Sequence, residues 1–323
     1  MIDSRPVLVN TRLDDPTADH VIGELHRRGV PVVRLDTGRP DGVTMTVGAG
    51  AGTGWRGTLR TPTRRVDPRE VRAVYHRRPS PTVPASPTDD PIGHQREFAA
   101  AQVRHGLGGL LMALPGCLHV NHPHLNAAAE YKPLQLSTAV ASGFTVPPTL
   151  ITNEPEAARD FIRAHHPVVY KPLRHTDYRK NGELRTIWVR PVVVEEIDPS
   201  LRACPHLFQK QVPKVADARV AVVGGDFFAT RITLDGEHPD WRMDYSLVSF
   251  SPIEAPAAVR RSAELYLKTF GLVFGAFDFA IDRDGTWHFL ECNPNGQWAF
   301  VDPTTTREIA VALADTLEKG VSP

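Results

Sequence analysis

The chain has 323 residues, 41% hydrophobic and 23% charged, with 37 lysines and arginines against 37 aspartates and glutamates. That length exceeds one ordinary core and predicts two or three domains, and the composition is that of a folded globular protein. Zero net charge argues against a general nucleic-acid or membrane-surface binder. The three cysteines, Cys117, Cys204 and Cys292, show no Cys-x-x-Cys spacing, which disfavours a disulfide framework or a zinc site and suits a reducing compartment. No basic-then-apolar signal segment opens the chain, and no apolar run is long enough to span a bilayer, so a cytoplasmic protein is expected.

The first third alternates strands and helices. PVLVN (6–10) is a short apolar strand. Asp15-Pro16 opens a helix, with Asp15 as N-cap and Pro16 at the first helical position. Gly29 closes it, and VPVVRLD (30–36) completes a βαβ unit. The loop NTRLDDP between them holds no Gly-x-Gly-x-x-Gly, so the dinucleotide fingerprint is absent. VTMTVG (43–48), WRGTLR (55–60) and VRAVYHRR (71–78) follow as strands, and a long helix is expected over 90–114, stopped by Pro115-Gly116.

A second region, 122–206, holds helices at 133–142 and near 155–165 and strands at 146–153, 167–173 and 186–194. Between the last two strands, RHTDYRKNGELR (174–185) reads as a mobile hairpin or loop over a site. The third region, 207–323, holds a strand, Gly-Gly turn, strand hairpin over 218–232. A helix at 256–270, two strands around Asp278 and Glu291, and a helix at 304–319 ended by Gly320 complete it. With no internal repeat, the chain reads as three α/β pieces, 1–121, 122–206 and 207–323, and ligand sites commonly lie between such pieces.

GAFDFAID (275–282) and TWHFLECN (286–293) flank Arg283-Asp284-Gly285. With Asp284-Gly285 as a two-residue turn, Arg283 pairs with Thr286 and Asp278 falls opposite Glu291. Period-two alternation puts Glu291 and Asn293 on one face with the small Ala276 and Ala280, and Phe277, Phe279 and Ile281 on the other, core face. Two facing carboxylates destabilise a ladder unless something neutralises them. Two carboxylates plus an amide oxygen form a Mg²⁺ ligand set that also holds substrate phosphates. Lys171 interrupts the strand PVVYKPL, and Lys132 precedes the helix that begins at Pro133, where a helix N-terminus favours anions. Each lysine alone reads as a surface lysine; together with the hairpin they suggest a nucleoside triphosphate between two domains. His119, His122 and His124 in HVNHPH match no zinc signature, and a connecting loop is expected there.

The order Lys132, Lys171, FQKQVP, Asp217-x-Arg219, Asp278, Glu291-x-Asn293 resembles the ATP-grasp superfamily, and more closely its ribosomal peptide maturases, the graspetide or microviridin-type macrocyclases. The stretches that carry it are VYHRRP (74–79), EYKPLQLSTAVASGFTVPPTLITN (130–153), VVYKPL (168–173), LFQKQVPKVADARVAVVGGDFFATRI (207–232), DWR (240–242) and FLECNPNGQW (289–298). The resemblance implies an α/β ATP-grasp fold of three α/β subdomains, with ATP between the central and C-terminal ones. It implies that Lys132 and Lys171 bind phosphates and that Gln209, Lys210, Gln211 and Val212 form the hinge that meets adenine, largely through backbone groups. Asp217 and Arg219 would join the ATP site, Arg219 and Lys171 would be catalytic, and Asp278, Glu291 and Asn293 would hold Mg²⁺. Two departures stand out. The loop after Lys171 has one glycine where the superfamily is often glycine-rich, and Lys210 stands where an acidic hinge residue is common.

The implied activity is a ligase that activates Asp or Glu side chains of an acidic ribosomal precursor peptide, leader plus core, as acyl phosphates and closes ester or amide crosslinks within it. Arg77-Arg78, at the end of a strand in a locally basic region, would hold substrate carboxylates, with Arg231 and Arg242 as weaker candidates. A homodimer is the family expectation, with neither nucleic acid nor membrane as partner. Two alternatives stay open: a ligase of the same fold that adds a free amino acid to a protein or small acid, and a nucleotide-binding regulator without turnover.

Overall fold

The computed structural model describes residues 4–39, 42–50, 53–80, 94–174, 177–180, 183–234 and 247–321. The N-terminal part runs β1 (Val7–Asn10), α1 (Pro16–Arg27), β2 (Val32–Leu35), β3 (Thr44–Gly50), β4 (Thr53–Arg60), β5 (Arg65–Val66), β6 (Ala73–His76), α2 (His94–Met112) and β7 (Leu118–Val120). α1 starts where the sequence places it, because the Asp15 carboxylate accepts from the Thr17 and Ala18 amides at 3.2 and 3.4 Å. β2-β1-β6-β7 form a parallel sheet, and β3-β4-β5 an antiparallel one.

Next come α3 (Pro123–Ala129), α4 (Lys132–Ala141), β8 (Thr149–Thr152), α5 (Pro155–His165), β9 (Val168–Lys171), β10 (Asp177–Lys180), β11 (Glu183–Thr186), β12 (Arg190–Val192) and β13 (His206–Lys210). β12-β9-β13-β8 make an antiparallel sheet backed by α5, and β10 and β11 form a separate hairpin. The last part is β14 (Lys214–Val223), β15 (Asp226–Leu234), β16 (Val248–Pro252), α6 (Ala257–Phe270), β17 (Phe274–Asp282), β18 (Trp287–Asn293) and α7 (Pro303–Lys319), its strands ordered β16-β15-β14-β17-β18. Gly224 and Gly225 turn β14 into β15 with φ of 56° and 105°, the left-handed region that glycine alone enters without strain.

Packing divides the chain differently from the expected limits at 121/122 and 206/207. α3 and α4 lie against α6, and Ala129, Ala139 and Phe144 are buried with Phe277, Phe279 and Phe289 of the C-terminal sheet rather than on the central one. β13 pairs with β8 and β9, so residues 207–210 belong to the central sheet. α7 joins the two outer parts: Leu313 and Leu317 share one core with Val7, Val9 and Tyr75 of the N-terminal sheet and Ala221 and Ala276 of the C-terminal one. Each fully buried aliphatic side chain there contributes about 1.5–3 kcal/mol, which fuses those parts. The strand expected over 186–194 shortens to Arg190–Val192, and Ile187 and Trp188 stand 42% and 39% exposed. No helix among the described residues is long and apolar enough to cross a membrane.

Candidate ATP and metal site

A cleft of about 900 Å³ opens between the central sheet, the C-terminal sheet and the end of β6. Its floor is the β14-β17-β18 ladder. Asp278 pairs with Glu291, and Ala276 with Asn293, as the sequence predicts, and Phe277 and Phe279 lie in the core behind. The route to that pairing is different. The Asp282 amide donates to the Thr286 carbonyl at 3.1 Å, so the turn has three residues, Arg283 to Gly285. That shifts the ladder to Ile281 opposite Trp287 and Phe279 opposite Phe289. A bulge at Leu290 then restores Asp278 to Glu291. Bulges recur beside active sites because they re-aim side chains, and Leu290 lines the cleft.

The Asn293 amide head lies between the two carboxylates, its Nδ2 3.3 Å from Asp278 Oδ2 and 3.3 Å from Glu291 Oε1. Three side chains therefore converge on one point, and half a turn of the amide would present a third oxygen there. An all-oxygen set with two carboxylates fits Mg²⁺. Among the described residues no group of three His, Cys, Asp or Glu could hold a metal, so the amide is needed to complete the set. Cys292 points the other way into the core, where burial, then Asp278 and Glu291, push its thiol well above the ordinary value.

Cations from other segments meet these carboxylates. Lys132 Nζ lies 2.5 Å from Glu291 Oε2, and Arg219 Nη1 lies 3.2 Å from Asp278 Oδ2. Arg219 sits under the Phe300 ring at 5.4 Å from its centre. Its Nη1 meets Asp278 at ion-pair distance without a hydrogen-bond angle, so Arg219 Nε and Nη1 are buried donors with no hydrogen-bond acceptor among the described residues. Lys171 Nζ donates to Gln209 Oε1 at 2.6 Å, and Gln209 Nε2 to Thr149 Oγ1 at 2.9 Å. Gln209 is buried and lines a small separate pocket with Leu207, Leu290 and the two cleft lysines Lys132 and Lys171. Asp217 lines the main cleft and accepts from Lys214 Nζ at 2.6 Å. Lys214 is a cleft cation that the sequence reading missed; its short spacing to Asp217 was the available signal.

Two of the hinge amides are already engaged. The Lys210 and Gln211 amides already donate to the Pro148 and Pro167 carbonyls at 2.9 and 2.8 Å, and the Val212 carbonyl accepts from the Lys214 amide at 2.8 Å. The backbone carbonyls, each with a second lone pair, and the Val212 amide are what Lys210 to Val212 can still offer. Lys210 itself is exposed.

The candidate substrate arginines separate. Arg78 is exposed and lines the cleft. Arg77 does not: its side chain is 1% exposed. Its Nη1 donates to the Asn295 carbonyl at 2.9 Å and to Asn295 Oδ1 at 3.2 Å, and Asn295 Nδ2 donates back to the Arg77 carbonyl. Arg77 is thus a strut between β6 and the turn after Asn293, not a substrate contact. Arg231 pairs with Ala218, which puts it on the face of Phe279, opposite the face of Arg219 and Asp278. Arg242 and the rest of DWR lie outside the described residues. In place of a loop, His119 lies in β7 and stacks on His76 at 5.3 Å, with His76 Nε2 3.0 Å from His119 Nδ1. Burial, then the neighbouring imidazoles, lowers His76 to about 3 and His119 to about 4, so both are neutral.

No family model and no curated protein matches the chain by sequence. Solved structures do match it. The RiPP-associated ATP-grasp ligase of Chryseobacterium gregarium, solved with ADP and a leader and core peptide, is 25% identical with a TM-score of 0.87, covering 97% of this chain and 96% of that one. The macrocyclase MdnC of Microcystis aeruginosa MRC, bound with its precursor peptide MdnA, is 28% identical with a TM-score of 0.84, covering 98% and 100%. The macrocyclase MdnB of the same organism is 28% identical with a TM-score of 0.77, covering 97% and 99%. The chain thus carries the ATP-grasp fold in the form found in RiPP-associated ATP-grasp ligases and macrocyclases, a likeness that runs over nearly its whole length.

Proposed function

We propose that the protein is an ATP-dependent ligase that crosslinks a ribosomal precursor peptide. The observation that carries this is the convergence of Asp278, Glu291 and Asn293, facing Lys132, Lys171 and Arg219, in one cleft of a chain shaped like peptide macrocyclases. Asp278, Glu291 and Asn293 would hold Mg²⁺, which when bound neutralises phosphate oxygens. Lys132 and Lys171 would bind the nucleotide phosphates, and a hinge carbonyl of Lys210 to Val212 would accept from the adenine amine beside Gln209. Arg78 would hold the peptide carboxylates.

A side-chain carboxylate oxygen of the peptide attacks the γ-phosphorus, the bond to the β–γ bridging oxygen breaks, and ADP leaves with that electron pair. The buried, acceptor-poor Arg219 donates to the oxygens on which charge gathers. A hydroxyl or amine of the same peptide then attacks the acyl carbon. Phosphate leaves, the nucleophile's proton passes to solvent, and an ester or amide closes the ring. Holding both groups on one chain removes most of the entropic barrier. The homodimer belongs to this proposal and is tested by sedimentation.

The test is incubation with ATP, Mg²⁺ and an acidic peptide containing Thr and Asp or Glu. Loss of one water per ring with matching ADP release is expected. A mass gain by an added amino acid, or peptide-dependent ADP release unchanged in Glu291→Gln, overturns the reading.

A further inference from the structure

The segment that carries the metal ligands ends the C-terminal sheet. β18 is the last strand in the order β16-β15-β14-β17-β18; among the described residues its outer edge meets no further strand, and there Thr145 bridges it, the Thr145 carbonyl accepting from the Phe289 amide at 2.8 Å. Buried backbone groups need partners, and here three side chains from distant parts of the chain supply them. Gln135 of α4, 4% exposed, accepts from the Cys292 amide at 3.1 Å and donates to the Ala129 carbonyl at 2.7 Å. Cys292 is the residue between Glu291 and Asn293. Asn121, 2% exposed, donates to the Pro294 carbonyl and to the Phe274 carbonyl, both at 2.8 Å. Its Oδ1 accepts from the Val273 and Phe274 amides at 2.8 and 2.9 Å. Asn121 therefore ties the start of β17, which carries Asp278, to the turn that follows Asn293. Arg77 clasps Asn295, one residue further on.

We propose that Gln135, Asn121 and Arg77 are positioning residues of the metal site, each holding the ligand-bearing segment by its backbone at a different point. This rests on the reading of Asp278, Glu291 and Asn293 as metal ligands. Cys292, Pro294 and Asn295 are fixed at three of four successive positions, so Asn293 cannot move away from Asp278 without breaking a buried bond. The clasp has a second consequence. Arg78 follows Arg77 directly, so the same three bonds set the spacing between the peptide-binding arginine and the metal ligands. Misplacement of a reacting group by about 1 Å costs on the order of 100-fold in rate.

The test measures Mn²⁺ binding by electron paramagnetic resonance in the presence of ADP, with metal-free ADP binding and melting curves alongside. Gln135→Met keeps the volume and removes both hydrogen bonds; Asn295→Ala removes the two side-chain bonds of the clasp, leaving only Arg77 Nη1 on the residue-295 carbonyl, and decides the matter should Gln135→Met not melt cooperatively. Mn²⁺ affinity should fall about 10- to 100-fold, the range for residues that orient metal ligands, while metal-free ADP binding stays within about twofold. A purely structural role would move the melting curve and leave that split untouched. Mn²⁺ affinity within about twofold of wild type in the deciding variant overturns the inference. Glu291→Gln separates the two readings: if it binds Mn²⁺ as wild type does, the metal assignment falls; if it loses Mn²⁺ and the deciding variant does not, only the positioning role falls.

Discussion

Replacing Lys132 by Met should change metal and nucleotide binding in opposite directions. Lys132 Nζ sits 2.5 Å from Glu291 Oε2, with the two side chains 18% and 20% exposed. In the nucleotide-free protein a divalent cation must therefore compete with the ammonium for Glu291. Two unit charges about 4 Å apart interact by about 4 kcal/mol at an effective dielectric of about 20. Exposure and salt reduce this to about 1–2 kcal/mol, or roughly tenfold in affinity. Mn²⁺ binding to nucleotide-free Lys132→Met, followed by electron paramagnetic resonance, should tighten by about that factor. ADP binding followed by calorimetry should weaken by about tenfold, because a phosphate contact is lost. Nucleotide brings the negative charge that draws Lys132 off the carboxylate, so metal and nucleotide are expected to bind as a unit. Unchanged or weaker Mn²⁺ binding in the nucleotide-free variant would refute the competition.

Gly296→Ala places a Cβ 2.6 Å from Ala276 Cβ and 3.0 Å from Asn293 Cβ; peptide-dependent ADP release should drop about 100-fold with a stability loss of about 1–3 kcal/mol, and wild-type turnover would show that the turn gives way freely. Arg78→Ala should raise the KM for peptide about tenfold or more and leave ADP affinity unchanged, whereas Arg231→Ala, on the other face of the sheet, should alter neither, both read from initial rates. The neutral His76 and His119 bind protons more weakly folded than unfolded, so stability is full above the free imidazole value of 6.5 and falls as pH drops through it toward about 3 and 4. Between about pH 7 and about pH 5 the buried His76 removes about 2 kcal/mol and the more exposed His119 less, because solvent screens it, so His76→Phe should remove at least half of the denaturation-midpoint shift.

The elements and the facing of Asp278 and Glu291 were legible because both leave local marks. Asp15-Pro16 caps α1, the alternation in GAFDFAID names the core face, and Glu291 interrupts an apolar strand. The turn was not legible: three residues with a compensating bulge at Leu290 give the same partner for Asp278 as two residues without one. Arg77 and Arg78 are identical in type and adjacent, so only burial tells the strut from the cleft residue. Gln135 and Asn121 left no mark either, since a side chain that bonds a backbone group 157 or 173 positions away has no spacing to read. The packing of α3 and α4 on the C-terminal sheet was not legible, because chain order says nothing about which sheet a helix crosses to.

The bonds that frame Asn293 close loops of 157 to 218 residues. Contacts so distant form late in folding, since loop entropy must be overcome before they contribute. The β17-β18 hairpin alone would bring Asp278 and Glu291 together with neither Lys132 nor the amide frame around them. Metal therefore has little to select for early in folding, unlike a zinc finger whose ligands nucleate the domain. Binding of the ion reports a completed chain, and a fragment confined to the C-terminal sheet would hold the carboxylates without the geometry that makes them a site.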